Sequence, residues 1–207
     1  MADPYIPLVA PWFPSVLWKT GSDDVWLTFD DGPHPAATPG VLEALRQSRT
    51  FGTFFLLGAN AARHPELVRK IREDGHVIGS HGDVHEPVWF RPRNLVAERL
   101  RRASDAIELA GGGRPTLFRP PYGRLDPSTP VHARVVGLAT VMFTVNSWDF
   151  GAGPASSIVS RVLRRTRPGD IILLHDNDRT APFAGELVSE IIRRVRESGL
   201  TFGKPLA

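Results

Sequence analysis

Thr28-Phe29-Asp30-Asp31-Gly32-Pro33 places two adjacent carboxylates at the end of an apolar run. Like charges a few ångströms apart raise one another's pKa, so such a pair calls for a cation, an arginine or a proton beside it. The chain offers His81 and His85, Arg119, and His175 for these parts. His81 and His85 stand four residues apart in a context of Gly79 and Gly82, which reads as a strand-end loop in which His85 could open a helical turn. Either geometry lets both rings reach one ion. With an aspartate from another strand end they form a two-histidine, one-carboxylate set, suited to Zn²⁺ or a related divalent ion with a position left for water. One aspartate can then ligate while the other takes a proton from water made acidic by the ion. We assign Asp31 as ligand and Asp30 as general base, although adjacency shows only that the side chains diverge. The bland reading is an acidic turn before a Gly-Pro breaker.

Arg119-Pro120-Pro121-Tyr122-Gly123 combines a cation with a stiff backbone that lacks two N–H donors. Rigidity suits a segment in which Arg119 holds a carboxylate and the Tyr122 backbone N–H faces a developing oxyanion. His175 follows Ile171-Ile172-Leu173-Leu174 and can protonate a leaving group; Asp149 can hydrogen-bond its far nitrogen and raise its pKa. Trp89 and Trp148 are candidate sugar platforms, weighed against a place in the core. His34 reads as a loop residue or a substrate contact, His64 as surface and His76 as structural. Asp176 and Asp178 read as solvated loop carboxylates.

These groups must be held by a frame, and short apolar strands alternate with amphipathic helices along the whole chain. The expected strands are residues 25–29, 53–57, 76–80, 117–118, 140–145, 171–174 and 200–202. Helices are expected to start at Thr38 as N-cap with Pro39 at N1, at Pro65, near Pro92, at Pro127 or Pro130, near Ala155 and near Pro182. Near-continuous apolar strands such as Thr53–Leu57 belong to a sheet covered on both faces. No Gly-x-Gly-x-x-Gly follows the first strand, which removes the best support for a dinucleotide fold. Asp30 and Asp31, His81, Arg119, Asp149 and His175 all fall at C-terminal strand ends, where barrel enzymes assemble their sites. The expected fold is therefore α/β: a small closed or nearly closed (β/α) barrel of about seven strands, one domain over residues 1–207.

The 207 residues suffice for one well-buried core. Cysteine is absent, which excludes disulfides and thiolate ligands. The net charge is +3, and lysine occurs only at positions 19, 70 and 204, so the basic residues are chiefly arginines on helix-like segments. These read as solvated faces, with an anionic polymer the less favoured reading. No aromatic interleaving marks a base-stacking groove, so no nucleic-acid partner is expected. No stretch is long enough to cross a bilayer. The segment Met1–Trp18 carries Asp3, four prolines and no basic region, a poor signal peptide. Location is expected to be extracellular or at the cell envelope if an export signal has been removed, and cytoplasmic otherwise.

The ordered set of five motifs resembles the NodB-homology polysaccharide deacetylases, carbohydrate esterase family 4, over about residues 24–202. The resemblance implies a deformed (β/α) barrel, with Asp30 as catalytic base, Asp31, His81 and His85 as metal ligands, Arg119 as the group orienting Asp30, Tyr122 as oxyanion donor and His175 as catalytic acid supported by Asp149. It also implies a bound Zn²⁺, with Co²⁺ or another divalent ion as alternatives, and release of acetate from an N-acetylglucosamine-containing polysaccharide or oligosaccharide of peptidoglycan or chitin type. Substrate contacts are expected from Tyr122, Trp89 and Trp148, with no protein partner. Gly82 departs from the family's usual Ser or Thr, which braces the metal loop, and Phe150 departs from its usual Trp. Rival functions are O-deacetylation of xylan or another glycan, a small-molecule amidohydrolase, and a metal-dependent glycan-binding module without turnover.

Overall fold

A computed structural model describes residues 6–151 and 153–204. Seven parallel strands form one curled sheet in the order β5-β4-β3-β2-β1-β7-β6. They are β1 (Trp26–Asp30), β2 (Gly52–Leu56), β3 (Val77–Ser80), β4 (Leu117–Phe118), β5 (Ala139–Thr140), β6 (Val145–Asn146) and β7 (Ile171–His175). The helices are α1 (Ile6–Val9), α2 (Thr38–Gln47), α3 (Gly58–Arg63), α4 (Pro65–Glu73), α5 (Arg93–Ile107), α6 (Thr129–Val135), α7 (Ala155–Arg165) and α8 (Ala184–Glu197). Among the described residues no ladder joins β5 to β6, so the barrel is deformed and open at that seam.

Side chains alternate across a strand with period two, and this alternation sorts the residues. Leu27, Phe29, Phe54, Leu56, Ile172 and Leu174 face outward into the core beneath the helices, joined there by Val41, Leu45, Ile71, Val162 and Ile191. The Phe29 and Phe54 rings stack there with centroids 4.8 Å apart, worth about 1 kcal/mol beyond simple burial. Trp26, Phe55, Ile171 and Leu173 face the concave interior with Val16, Met142 and Phe143. Thr28 and Asp30 share the phase of Trp26 and so point inward, and register sets Asp30 beside Phe55 on one side and His175 on the other.

Two expected strands came out differently. Residues 140–145 do not form one strand: β5 and β6 are separated by Val141–Thr144. The Val141 and Met142 carbonyls accept hydrogen bonds from the Arg119 guanidinium, and the Met142 N–H donates to Leu17. A buried guanidinium needs acceptors, and these carbonyls leave the ladder to supply them. Residues 200–202 contribute only a bridge from Phe202 to Val25. Thr38 is also not the N-cap of α2. Ala37 occupies that position, with Thr38 and Pro39 following as the first helical residues.

Candidate active site

Asp30 and Asp31 part because the backbone turns between them. Asp30 ends β1 in the strand conformation, whereas Asp31 has φ +79, a left-handed state that is costly outside glycine and concentrates at functional sites. Asn60 Nδ2 holds the Asp31 carbonyl at 2.8 Å. Asn177 Nδ2 holds Asp31 Oδ2 at 2.8 Å. Asp31 Oδ1 is left buried without a hydrogen-bond partner, 3.6 Å from His81 Nε2 and 3.5 Å from His85 Nε2. The three ligand-type atoms lie within 4.8 Å of one another. Burial raises the Asp31 pKa, but His81, His175, the Asn177 hydrogen bond and His85 together bring it below the usual carboxylate value.

His81 is buried at the end of β3. Burial lowers its pKa more than Asp30 and Asp31 raise it, which favours the neutral ring, the form that ligates metal. Its Nδ1 lies 2.7 Å from the Arg119 carbonyl oxygen. That oxygen can only accept, so the proton sits on Nδ1 and the Nε2 lone pair is free toward Asp31. An orphaned carboxylate oxygen and a correctly poised imidazole fit a divalent cation. Among the described residues this is the cluster of histidine and acidic side chains that could hold one.

The loop bearing His85 contains no helical turn. Gly82 has φ +92, so the departure from Ser or Thr coincides with a backbone state that favours glycine. The loop is braced in other ways. The Gly82 and Asp83 carbonyls accept from Gly58 N and Ala59 N of α3. Arg99 of α5 pairs with Glu86 at 2.7 Å, and Arg102 of α5 pairs with Asp83. Some of the helix arginines are therefore tied to the site's own loop.

Arg119 is fully buried. It donates from NH1 to Thr28 Oγ1 at 2.6 Å and Asp30 Oδ1 at 2.9 Å, and from NH2 to the Met142 carbonyl at 2.9 Å. Its guanidinium carbon sits 4.2 Å from the Phe55 ring centroid. Burial pulls its pKa down against the pull of Asp30, yet guanidinium remains charged. Thr28 relays the contact by donating to the Ile172 carbonyl at 2.7 Å. Its hydroxyl had no signal in the sequence beyond its place in the motif.

His175 Nδ1 lies 2.7 Å from Asp149 Oδ1, and Asp149 Oδ2 accepts the His175 backbone N–H at 2.8 Å. Burial depresses the His175 pKa, but the hydrogen bond and charge of Asp149, helped by Asp30 and Asp31, raise it to about 9. Phe150 packs edge-on against the ring with centroids 5.2 Å apart, so the departure from Trp keeps an aromatic contact there.

A cavity of about 600 Å³ opens over these groups, lined among others by Tyr122, Phe143, Trp148 and Phe150. Tyr122 has φ +64; its ring meets that of His85 with centroids 4.3 Å apart, and its hydroxyl donates to the His85 carbonyl at 3.2 Å. After Pro120 and Pro121, its N–H is the first backbone donor beyond Arg119. Trp148 is 46% exposed at the cavity wall. Trp89 is not among the lining residues: its Nε1 is buried without a partner and its ring lies 5.5 Å from the Arg124 guanidinium. The sequence identifies an aromatic but not the direction in which its loop turns it.

Asp176 is not the solvated carboxylate expected. The β-ladder runs one residue past β7, from Asp176 N to the Asp30 carbonyl, and the alternation turns the side chain away from the cavity, where it is fully buried. Thr38 Oγ1 donates to Asp176 Oδ2 at 2.5 Å while accepting from His34 N at 2.8 Å. Burial and the charges of Asp31 and Asp30, against the Thr38 hydrogen bond, raise the Asp176 pKa to about 8. A Cβ at Gly32 would clash with this carboxyl group. Gly32→Ala is expected to lower stability by about 1–3 kcal/mol, read as a drop in Tm. Asp178 is exposed and pairs with His34 at 2.8 Å, a loop contact. His76 is buried against Gly52 N at 3.3 Å, its pKa lowered by burial to about 4, and is structural.

A carboxylate and two imidazoles able to ligate a cation, a second carboxylate clamped by arginine and a charged histidine at one end of a parallel (β/α) sheet define a hydrolase-type site. The family model described as polysaccharide deacetylase matches residues 18–141, and the chain belongs to that family. It is 36% identical over 153 residues to a chitooligosaccharide deacetylase of Azorhizobium caulinodans, covering 73% of each chain. It is 32% identical over 204 residues to a peptidoglycan-N-acetylglucosamine deacetylase of Bacillus cereus, covering 90% of this chain and 89% of the relative. Among solved structures, a family 4 carbohydrate esterase from Streptomyces lividans in complex with acetate superposes with a TM-score of 0.79 at 33% identity, over 87% of this chain and 92% of that one. No helix among the described residues is long and apolar enough to cross a membrane.

Proposed function

We propose that the chain is a divalent-metal-dependent deacetylase that hydrolyses the acetamide of N-acetylglucosamine units in a polysaccharide or oligosaccharide, releasing acetate and leaving the amine. The observation that carries this reading is the orphaned Asp31 Oδ1 facing His81 and His85, with Asp30 beside it. Asp31, His81 and His85 would hold Zn²⁺ or Co²⁺, which when bound polarises the acetyl carbonyl and makes water easier to deprotonate. Asp30, held through Oδ1 by Arg119, keeps Oδ2 available to take the proton of the attacking water. The Tyr122 N–H donates to the oxyanion as it forms. His175, kept protonated by Asp149, delivers a proton to the departing amine nitrogen. Tyr122, Trp148 and Phe150 supply flat apolar surface for a sugar ring.

Acetate release is expected from N-acetylglucosamine oligomers, to be lost on chelation and restored by Zn²⁺ or Co²⁺. Acetylated xylan assayed in parallel separates amide from ester hydrolysis; release from xylan alone would replace this reading with an O-acetyl esterase. His81→Ala should weaken Zn²⁺ binding by at least about 100-fold in calorimetry, because a three-ligand site loses one ligand together with the Arg119 carbonyl contact that orients it. Unchanged binding would move the metal elsewhere.

A further inference from the structure

Two arginines line the catalytic cavity without a carboxylate partner among the described residues. Arg124 lies two residues beyond Tyr122, and Arg179 four beyond His175. Arg99, Arg102, Arg114 and Arg193 are committed to acidic neighbours, and the remaining unpaired arginines lie outside the cavity lining. Arg124 rests over the Trp89 ring at 5.5 Å, and Arg179 makes only a 3.5 Å contact to the Phe150 carbonyl.

The loop beneath Arg179 is well fixed. Asn177 Oδ1 accepts the Arg179 N–H at 3.0 Å while Asn177 Nδ2 holds Asp31 Oδ2. Thr180 Oγ1 accepts the Asn177 N–H at 3.1 Å. The base of the side chain is thus tied to the metal-ligand aspartate, and its charged end is exposed at the cavity wall. Half-buried Trp89, which is not among the cavity-lining residues, instead supports the Arg124 guanidinium through its ring. The carboxylates inside the cavity do not neutralise these two cations: Asp30 is paired with Arg119, and Asp31 faces His81 and His85. A concave site with uncompensated positive charge at its rim concentrates anions.

We infer that Arg124 and Arg179 form a carboxylate-binding rim, and that the preferred substrate is an acetylated glycan carrying a carboxylate on a sugar next to the one deacetylated. The inference rests on the deacetylase reading and divides its substrates: an acidic strand is favoured over a neutral chitin-type oligomer. Guanidinium suits the task because its planar fork meets a carboxylate with two parallel hydrogen bonds. The carboxylate could sit on a lactyl ether or on a uronic acid; both present the same group.

The test compares kcat/KM for acetate release from three tetrasaccharides of equal length: the neutral N-acetylglucosamine oligomer, one alternating with N-acetylmuramate free of peptide, and one alternating with glucuronate. Wild type should favour at least one acidic substrate over the neutral one by roughly tenfold, an advantage that shrinks as salt is raised. The double variant Arg124→Gln/Arg179→Gln should bring that ratio to about one. Which acidic arm shows the preference identifies the source of the carboxylate. Equal turnover of all three by wild type, or equal proportional losses on all three in the double variant, overturns the rim and leaves deacetylation standing. Acetate from none of them overturns the deacetylase reading, and the rim with it.

Discussion

Asp30→Asn is expected to reduce acetate release by about 10²–10⁴-fold while Zn²⁺ binding stays near wild type. The side chain ends β1 facing inward, 3% exposed, with Oδ1 2.9 Å from Arg119 NH1 and Oδ2 3.9 Å from His81 Nε2. Asparagine keeps the shape and one acceptor but cannot take a proton from water. The same change leaves a fully buried guanidinium without its counter-charge, and breaking a buried pair from one side costs up to about 3–5 kcal/mol. A lowered Tm should therefore accompany the kinetic loss. Single-turnover rates measured well below the variant's Tm, together with calorimetry of Zn²⁺ binding, separate the two effects. Turnover within tenfold of wild type in the folded variant would place the base elsewhere.

Asp149→Asn should lower the His175 pKa and pull the alkaline limb of the pH–rate profile downward. In the wild type the ring lies at about 9, well above the ordinary 6.5: burial opposes the charge, but the Asp149 contact at 2.7 Å outweighs it, with help from Asp30 and Asp31. A raised histidine pKa means that the folded protein binds the proton more tightly than the unfolded chain. The stabilisation is fully present below about 6.5 and is lost as pH rises through about 9. A shift of that size corresponds to about 3 kcal/mol. Asparagine removes the charge and leaves burial to act more freely, so the acid should lose its proton at lower pH and kcat should fall at neutral pH. Histidine-detected NMR titration of the metal-free protein reads the ring pKa directly. An unmoved titration in the variant would remove Asp149 from this role.

The strands β1, β2, β3 and β7 are legible because a buried parallel strand is a short apolar run, and the polar residue ending each run marks the sheet edge where chemistry collects. The split of residues 140–145 into β5 and β6 is not legible. Val141 and Met142 look like good strand formers, and their carbonyls leave the ladder only because Arg119 enters from β4 more than twenty residues away. Asp176 misleads for a similar reason. Asp in a run of polar residues suggests solvent, whereas the ladder carries it one step inward against Thr38. Trp89 cannot be placed without the direction of its loop, which Phe90, at φ +54 and donating to Asp126 Oδ2 at 2.6 Å, helps to set.

By itself, then, the order of residue types determined the αβ alternation, the strand ends at which Asp30, His81, Arg119 and His175 stand, and a donor set rich enough for a cation. Those are local properties: period, apolar run length and side-chain chemistry. Tertiary structure alone decided which aspartate faces which partner. Asp31 takes a left-handed backbone state that Asn60 and Asn177 hold from other loops, turning its free oxygen to the histidines. Asp30 keeps the strand's direction and meets an arginine whose other donors are satisfied by the Thr28 hydroxyl and by the carbonyls that interrupt the sheet. Adjacent residues acquire different surroundings because a half-turn of backbone separates them, and the groups that reward each orientation are distant along the chain.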